Sequence, residues 1–280
     1  MRKFRGALGV FPLLVYLGLF LVVPALSVIS NAFRSNSGAL TLANIDAAFH
    51  GVYLDSFRQS IQLSLVSGLI AALVGTMVAL AIASSQSRIL RSIVTSGAAV
   101  FANTGGVPLA FSFIATVGNF GLITVILTSF GYNPYNHGFS LYSILGLTIV
   151  YQYFLLPLMV LIMMPPVEAL KREWSDASDT LGAKRYQFWR HVAFPLLLSP
   201  FVAGFLVMFM DAFSAYATAE ALTSGTIPLV PIQLGALISG NVLVNQTHLG
   251  DALGAGMIGV VVVAGTLYFL VQRRAAKWLR

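Results

Sequence analysis

The sequence predicts an all-α integral membrane protein with about six transmembrane helices. Three observations lead there. Hydrophobic residues make up 58% of the chain and charged residues only 9%, against about 25% charged in a soluble domain. The mean hydropathy is +0.85. The charges gather between uncharged runs, several of them long enough for the roughly 20 apolar residues that a crossing helix needs. Little room is left for a soluble domain, so a single membrane domain over residues 1–280 is expected. The chain has no cysteine, which excludes disulfides and thiolate metal sites.

The elements follow in order. Leu8–Phe33 is the first span. Arg2, Lys3 and Arg5 precede it as in a signal peptide, but the uncharged run from Gly6 to Phe33 far exceeds an h-region of about 7–15 residues, so it reads as uncleaved. Gln59–Ser84 is the second span. Ile93–Phe130 is too long for one simple span, and Thr104-Gly105-Gly106-Val107-Pro108 should break it. One crossing plus a re-entrant piece gives six spans. Two crossings give seven and put the termini on opposite sides. Leu141–Pro165, Leu196–Thr223 and Leu249–Val271 complete the set. The outer loops around Ser35–Phe57 and Ser224–His248 are short and rich in Gly, Ser and Asn, and are expected to hold small interfacial helices that meet an external partner.

Charge orients the six-span arrangement. Lys and Arg favour the inner side of short loops. Of the 16 basic residues, all but Arg34 and Arg58 fall on one side, in the termini, at Arg88 and Arg91, and between Lys171 and Arg190. Both termini are therefore expected in the cytoplasm. The net charge of +7 describes membrane orientation and gives no basic patch for nucleic acid.

Residues 166–195 form the only long, charge-rich stretch between spans. Its core reads Asp176-Ala177-Ser178, three residues, Gly182, nine residues, then Val192-Ala193-Phe194-Pro195. Gly182 can adopt φ > 0 and end a short helix in a tight turn. Pro195 lacks an N–H and suits the start of the next span. Lys184, Arg185, Phe188, Trp189 and Arg190 offer a mixed basic and aromatic surface to a partner.

This spacing resembles the EAA loop of the membrane subunits of binding-protein-dependent ABC importers: Glu-Ala-Ala, three residues, Gly, nine residues, Ile, one residue, Leu-Pro. Ala177, Gly182 and Pro195 fall in register. Asp176 stands for the Glu, Ser178 for the second Ala, Val192 for the Ile and Phe194 for the Leu. The resemblance implies an ATPase-coupling loop carried by Asp176, Ala177, Ser178, Gly182, Ala183, Arg185, Phe188 and Pro195. More loosely, Asn119-Phe120-Gly121-Leu122-Ile123 and Tyr153-Phe154-Leu155-Leu156-Pro157 are similar to segments of spermidine/putrescine, iron(III), thiamine and phosphonate permeases. Asp211-Ala212-Phe213 is similar to an acidic-acidic-Phe segment of some polyamine permeases, with the second acid lost.

What the resemblance implies is a permease subunit in the bacterial inner membrane, working by alternating access. Two ATP-binding subunits would dock on the loops and hold ATP and Mg. A second permease chain, identical or homologous, would complete the pathway, and an extracytoplasmic solute-binding protein would deliver a small polar or cationic solute such as a polyamine. This chain itself would perform no covalent chemistry and bind no cofactor. Consistent with that, no lysine follows a glycine, so there is no Walker A loop. Gly254-Ala255-Gly256-Met257-Ile258-Gly259 spells a dinucleotide fingerprint, but it lies in a hydrophobic span with no strand before it. Gly250 and Gly254, four apart, read instead as a close helix approach. His50, His137, His191 and His248 are scattered and lack metal-ligand spacing. No paired acids or nucleophile motif supports a membrane-embedded enzyme. The alternative is an ion-gradient-driven secondary transporter, which would use intramembrane acids.

Polar residues inside the spans are the pathway candidates. Helical spacing places Asp211, Ser214 and Thr218 near one face of the fifth span. They either line a water-filled path or, for Asp211, form a buried bond to a neighbouring helix; Glu220 fits the outer interface. Asn103 flanks the Gly-Gly-Val-Pro break, where unwound backbone at membrane depth is tolerated only if buried or lining a cavity. Gln152 in the fourth span is the remaining candidate.

Overall fold

In the computed structural model, residues 11–35, 38–85, 87–170, 172–239 and 247–278 are described. Arg2, Lys3, Arg5, Lys171 and Arg280 lie outside the described residues, as do the start of the first span and the side chains of Arg172, Arg274 and Lys277. The helices are α1 (Phe11–Ala32), α2 (Ala43–Ala48), α3 (Gly51–Ser84), α4 (Arg88–Ala102), α5 (Gly106–Val117), α6 (Leu122–Ser129), α7 (Ile144–Glu168), α8 (Arg172–Thr180), α9 (Arg185–Ser214), α10 (Ala217–Thr223), α11 (Val230–Ile238) and α12 (Thr247–Trp278). The described residues contain no named strand.

Six helical stretches are long and apolar enough to cross a membrane: α1, α3, Gly106–Ser129, α7, α9 and His248–Arg273. Several bounds differ from the sequence reading. The second span begins at Gly51, so Arg58 sits inside a helix, 3.7 Å from Asp55 one turn earlier. The long third region is three helices with two breaks. The break at Asn103–Gly105 was expected; a second falls at Gly118–Gly121. There the Val117 carbonyl, released from the helix ladder, accepts from the hydroxyls of Thr124 (3.2 Å) and Tyr135 (2.8 Å). At 15 residues, α4 is only about 22 Å long, short of a bilayer core of about 30 Å.

The fifth span starts at Arg185 and not at Leu196. Pro195 does not begin the helix; it lies inside it. What accommodates it is a π turn at Trp189–Ala193, in which the Phe194 N–H donates to the Trp189 carbonyl. The same device precedes Pro24 in α1, where the Val23 N–H donates to the Gly18 carbonyl. A proline removes one ladder donor and crowds the carbonyl four residues back. The wider turn just before it relieves that crowding without ending the helix.

The chain divides into two compact units: Met1–Arg58 with Pro228–Val262, and Gln59–Ile227 with Val263–Arg280. In the first, small residues of α12 admit large neighbours, as the Gly250–Gly254 spacing predicted. A Cβ on Gly254 would come within 3.0 Å of Val28, and one on Gly256 within 2.6 Å of the Phe57 ring. Gly254 and Gly256 of the apparent nucleotide fingerprint are thus packing contacts, while Gly259 has open space beside it.

In the second unit α7 is the hub. Met159, fully buried, fits between two glycines: a Cβ on Gly75 of α3 would sit 2.7 Å from its Cβ, and one on Gly204 of α9 would sit 2.7 Å from its sulfur. Ser60, Ser64, Ser67, Ala71, Ala72 and Ala79 extend the small buried face of α3. Lipid gives helices no hydrophobic reason to associate, so close packing over small residues has to supply it.

Candidate coupling loop and helix breaks

Residues 166–195 fold as a helix, a tight turn and a second helix. Gly182 has φ +74° and ends α8 in a Schellman motif. Its N–H donates to the Asp179 carbonyl (2.9 Å), and the Ala183 N–H reaches back to the Ser178 carbonyl (3.0 Å). The chain restarts at Lys184, whose extended backbone N–H donates to Gln187 Oε1 (2.7 Å) and so caps the start of α9. The turn predicted at Gly182 is therefore present, with its bonds made locally.

Most of the loop faces outward. Asp176 and Ala177 are exposed, Ser178 is half-buried, and Asp176 makes no ion pair among the described residues. Ala183 and Phe188 are half-buried, while Arg185 and Pro195 are exposed. Leu181 at the turn is 87% exposed and Tyr186 66%. Arg190 donates to the Tyr186 hydroxyl (2.9 Å). A surface of exposed carboxylates at Glu173, Asp176 and Asp179, bare apolar side chains and a propped arginine is suited to a protein partner.

The pathway candidates are arranged differently from the expectation. α9 ends at Ser214 because Ala215 is extended, with ψ 100°. Thr218 therefore sits on α10, and the face shared by Asp211, Ser214 and Thr218 on one helix does not exist. The break is stabilised from outside the helix: the Tyr151 hydroxyl donates to the Ala215 carbonyl (3.1 Å). Thr218, buried, bridges to the other break. Its Oγ1 accepts from the Gly106 N–H (2.8 Å) and donates to the Gly106 carbonyl (3.3 Å). The structure thus joins the Asn103–Gly106 break to the Ala215–Thr218 break.

The remaining candidates scatter around this junction. Asn103 is exposed and donates to the Ala99 carbonyl (2.8 Å), satisfying a group at the end of α4. Gln152 is half-buried and donates to the Ser67 and Thr148 carbonyls (3.1 Å each), tying α7 to α3; its Oε1 is shielded without a partner. Asp211 is half-buried and makes no ion pair among the described residues. Ser214 is exposed and bonds back to Met210 (2.9 Å). Sequence reasoning missed Tyr151 as a tie to the break; a hydroxyl on an otherwise apolar span was the available signal.

Residues 71–280 match the family described as binding-protein-dependent transport system inner membrane component. The chain belongs to this family. It is a multi-pass inner-membrane permease component, with the loop and both breaks inside the matched region. The permease component is similar to the spermidine/putrescine transport system permease protein PotB of Haemophilus influenzae, 23% identical over 263 residues (91% of this chain, 88% of PotB). It is 25% identical to the sulfate transport system permease protein CysT of Synechocystis over 92% of this chain and 84% of CysT. With the ferric transport system permease protein FbpB of Actinobacillus pleuropneumoniae it shares 27% identity over 56% of this chain, and the matched part is only 21% of FbpB. Its fold matches that in the crystal structure of a bacterial ABC transporter involved in the import of the acidic polysaccharide alginate. The TM-score is 0.74, at 14% identity, over 99% of this chain and 96% of the other.

Proposed function

We propose that this permease component lines the solute path of an ATP-driven importer and receives its drive through residues 166–195. The observation that carries the reading is the outward-facing α8, closed by the left-handed Gly182 and presenting an exposed Asp176. Two ATPase subunits, holding ATP and Mg, dock on such loops; their closure drives the loops together and opens the path outward. A second permease chain, identical or homologous, supplies the other half. All 280 residues act as one permease domain in lipid, with both termini in the cytoplasm. The alginate transporter has been seen with a pentasaccharide-bound periplasmic protein, which supports a solute-binding protein on the outer face here.

For the solute, the half-buried Asp211 beside a helix break favours a small polar or cationic molecule, and the likeness to PotB over most of the chain supports a polyamine. An acid at membrane depth is costly and is kept where it serves a pathway.

The coupling reading is tested by a cysteine at Asp176, the chain having none of its own. Crosslinking from that site in native membranes should capture an ATPase subunit; a chain that purifies alone and crosslinks to none overturns the reading. The solute reading is tested by Asp211→Asn, which should lower spermidine uptake by about an order of magnitude, the loss of one charge-assisted contact, while leaving ATPase docking intact. Uptake of spermidine that is absent from the start, alongside uptake of sulfate, overturns the cationic assignment.

A further inference from the structure

An ion pair at the root of the coupling loop belongs to none of the motifs above. Ser87 caps α4, its hydroxyl accepting from the Leu90 N–H (3.2 Å). This sets Arg91 in the first turn of α4, back over the end of α3. There its Nη2 donates to the carbonyl of Ala83 (3.4 Å), one of the last carbonyls of α3 and so without a partner in its own helix. Nη1 of the same guanidinium lies 3.1 Å from Oε1 of Glu168, the last residue of α7. Nε is shielded from solvent and has no hydrogen-bond partner among the described residues.

One side chain therefore joins the ends of α3, α4 and α7. After Glu168 the helix end is closed by local bonds: the Ala169 N–H donates to Pro165 (3.0 Å) and the Leu170 N–H to Val167 (3.2 Å), and α8 begins at Arg172. Arg91 and Glu168 are 39% and 41% exposed, and a pair that wet adds little to stability. Its value is geometric. A planar guanidinium holds its donors in a rigid fork aimed at two acceptors, whereas a lysine carries rotatable donors on a flexible stem.

We propose that Arg91 is a positioning residue: it clamps Glu168, the root of the coupling helix, to the ends of α3 and α4. Displacement of α8 is then delivered to the membrane helices and not absorbed by swinging of the loop. This rests on the coupling reading of residues 166–195.

The test uses the full importer, purified with its ATPase and reconstituted in lipid nanodiscs. Because the chain has no cysteine, Ile89→Cys and Thr180→Cys carry spin labels without background. The wild-type distance between them should be narrowly distributed. Arg91→Gln should broaden it and lower solute moved per ATP hydrolysed by about five-fold, within the range for coupled groups in one network, while hydrolysis continues. Arg91→Lys, keeping charge without the fork, should fall between. The swap Arg91→Glu with Glu168→Arg restores the ion pair but leaves the Ala83 carbonyl facing a carboxylate that cannot donate to it, so it should narrow the distribution and raise the ratio only in part, relative to Glu168→Arg alone. Wild-type width and ratio in Arg91→Gln, or a swap no better than Glu168→Arg alone, overturns the clamp. If no ATPase accompanies the wild-type chain, the coupling reading fails and the width decides alone. Broadening that the swap reverses in part then upholds Arg91 as a mechanical tie, and unchanged width rejects it.

Discussion

Gly182 and Gly106 share a positive φ, +74° and +76°, yet they hold their chains by different means. At Gly182 nothing beyond its chain neighbours would lie within 4 Å of an added Cβ. Its turn closes through the Asp179 and Ser178 carbonyls, within one helix end. At Gly106 both the N–H and the carbonyl are bound by Thr218, 112 residues away. One turn is specified by the residues that form it. The other exists because a second broken helix lies beside it. The contrast suits the two roles proposed above: a turn that a partner is to read should keep its shape in isolation, whereas a junction between two breaks has two halves that can part.

The largest effect should come from cutting the long-range tie. Thr218→Val keeps the shape of the buried side chain but removes both partners of Gly106. Hydrogen bonds between side chains in membrane proteins average only about 0.6 kcal/mol, because the inserted unfolded state finds substitutes. Backbone groups at a helix break have fewer substitutes, and an orphaned polar group costs about 1–3 kcal/mol. Thermal unfolding in detergent should show a clear drop in midpoint. An unchanged midpoint would mean that water replaces the hydroxyl, and the two breaks would not be mutually dependent.

Next comes the local turn. Gly182→Leu meets no steric obstacle from packing, so its cost is the left-handed backbone alone, about 1–2 kcal/mol. That cost should fall on the loop: uptake drops sharply while the unfolding midpoint of the membrane helices stays in place. Gly182→Asn, which tolerates the left-handed region, should keep most of the uptake. If leucine and asparagine behave alike, the positive φ is not what coupling requires.

The same contrast explains what could be read from the residues. The Gly182 turn was legible because a Schellman end draws on six consecutive residues. The break before α5 was legible through Gly105-Gly106-Val107-Pro108. The break at Ala215 was not: from Met210 to Thr218 there is no glycine or proline, and helical periodicity runs straight through. That is why Asp211, Ser214 and Thr218 were assigned one face. Pro195 misled in the opposite direction. It marked a helix start in sequence, but the π turn at Trp189–Ala193 carries the helix through it. Local chemistry announces a break when glycine or proline makes it, and is silent when a distant hydroxyl does.

Tyr151→Phe is the finest test, since it touches only the second of those cases. The Tyr151 hydroxyl is the bond given to the Ala215 carbonyl from outside its helix, at 3.1 Å. The ring is fully buried and its packing survives the change. The cost should therefore be near the membrane average of about 0.6 kcal/mol, a shift of a degree or two in the unfolding midpoint. Function should register it more strongly than stability. If the Ala215 break is one face of a junction that opens during transport, weakening its tie shifts the balance between the two arrangements of that junction. Uptake in Tyr151→Phe should then change in proportion greater than the stability loss. Uptake tracking stability alone would mean that the break is fixed architecture, and that any movement of the path occurs at another set of contacts.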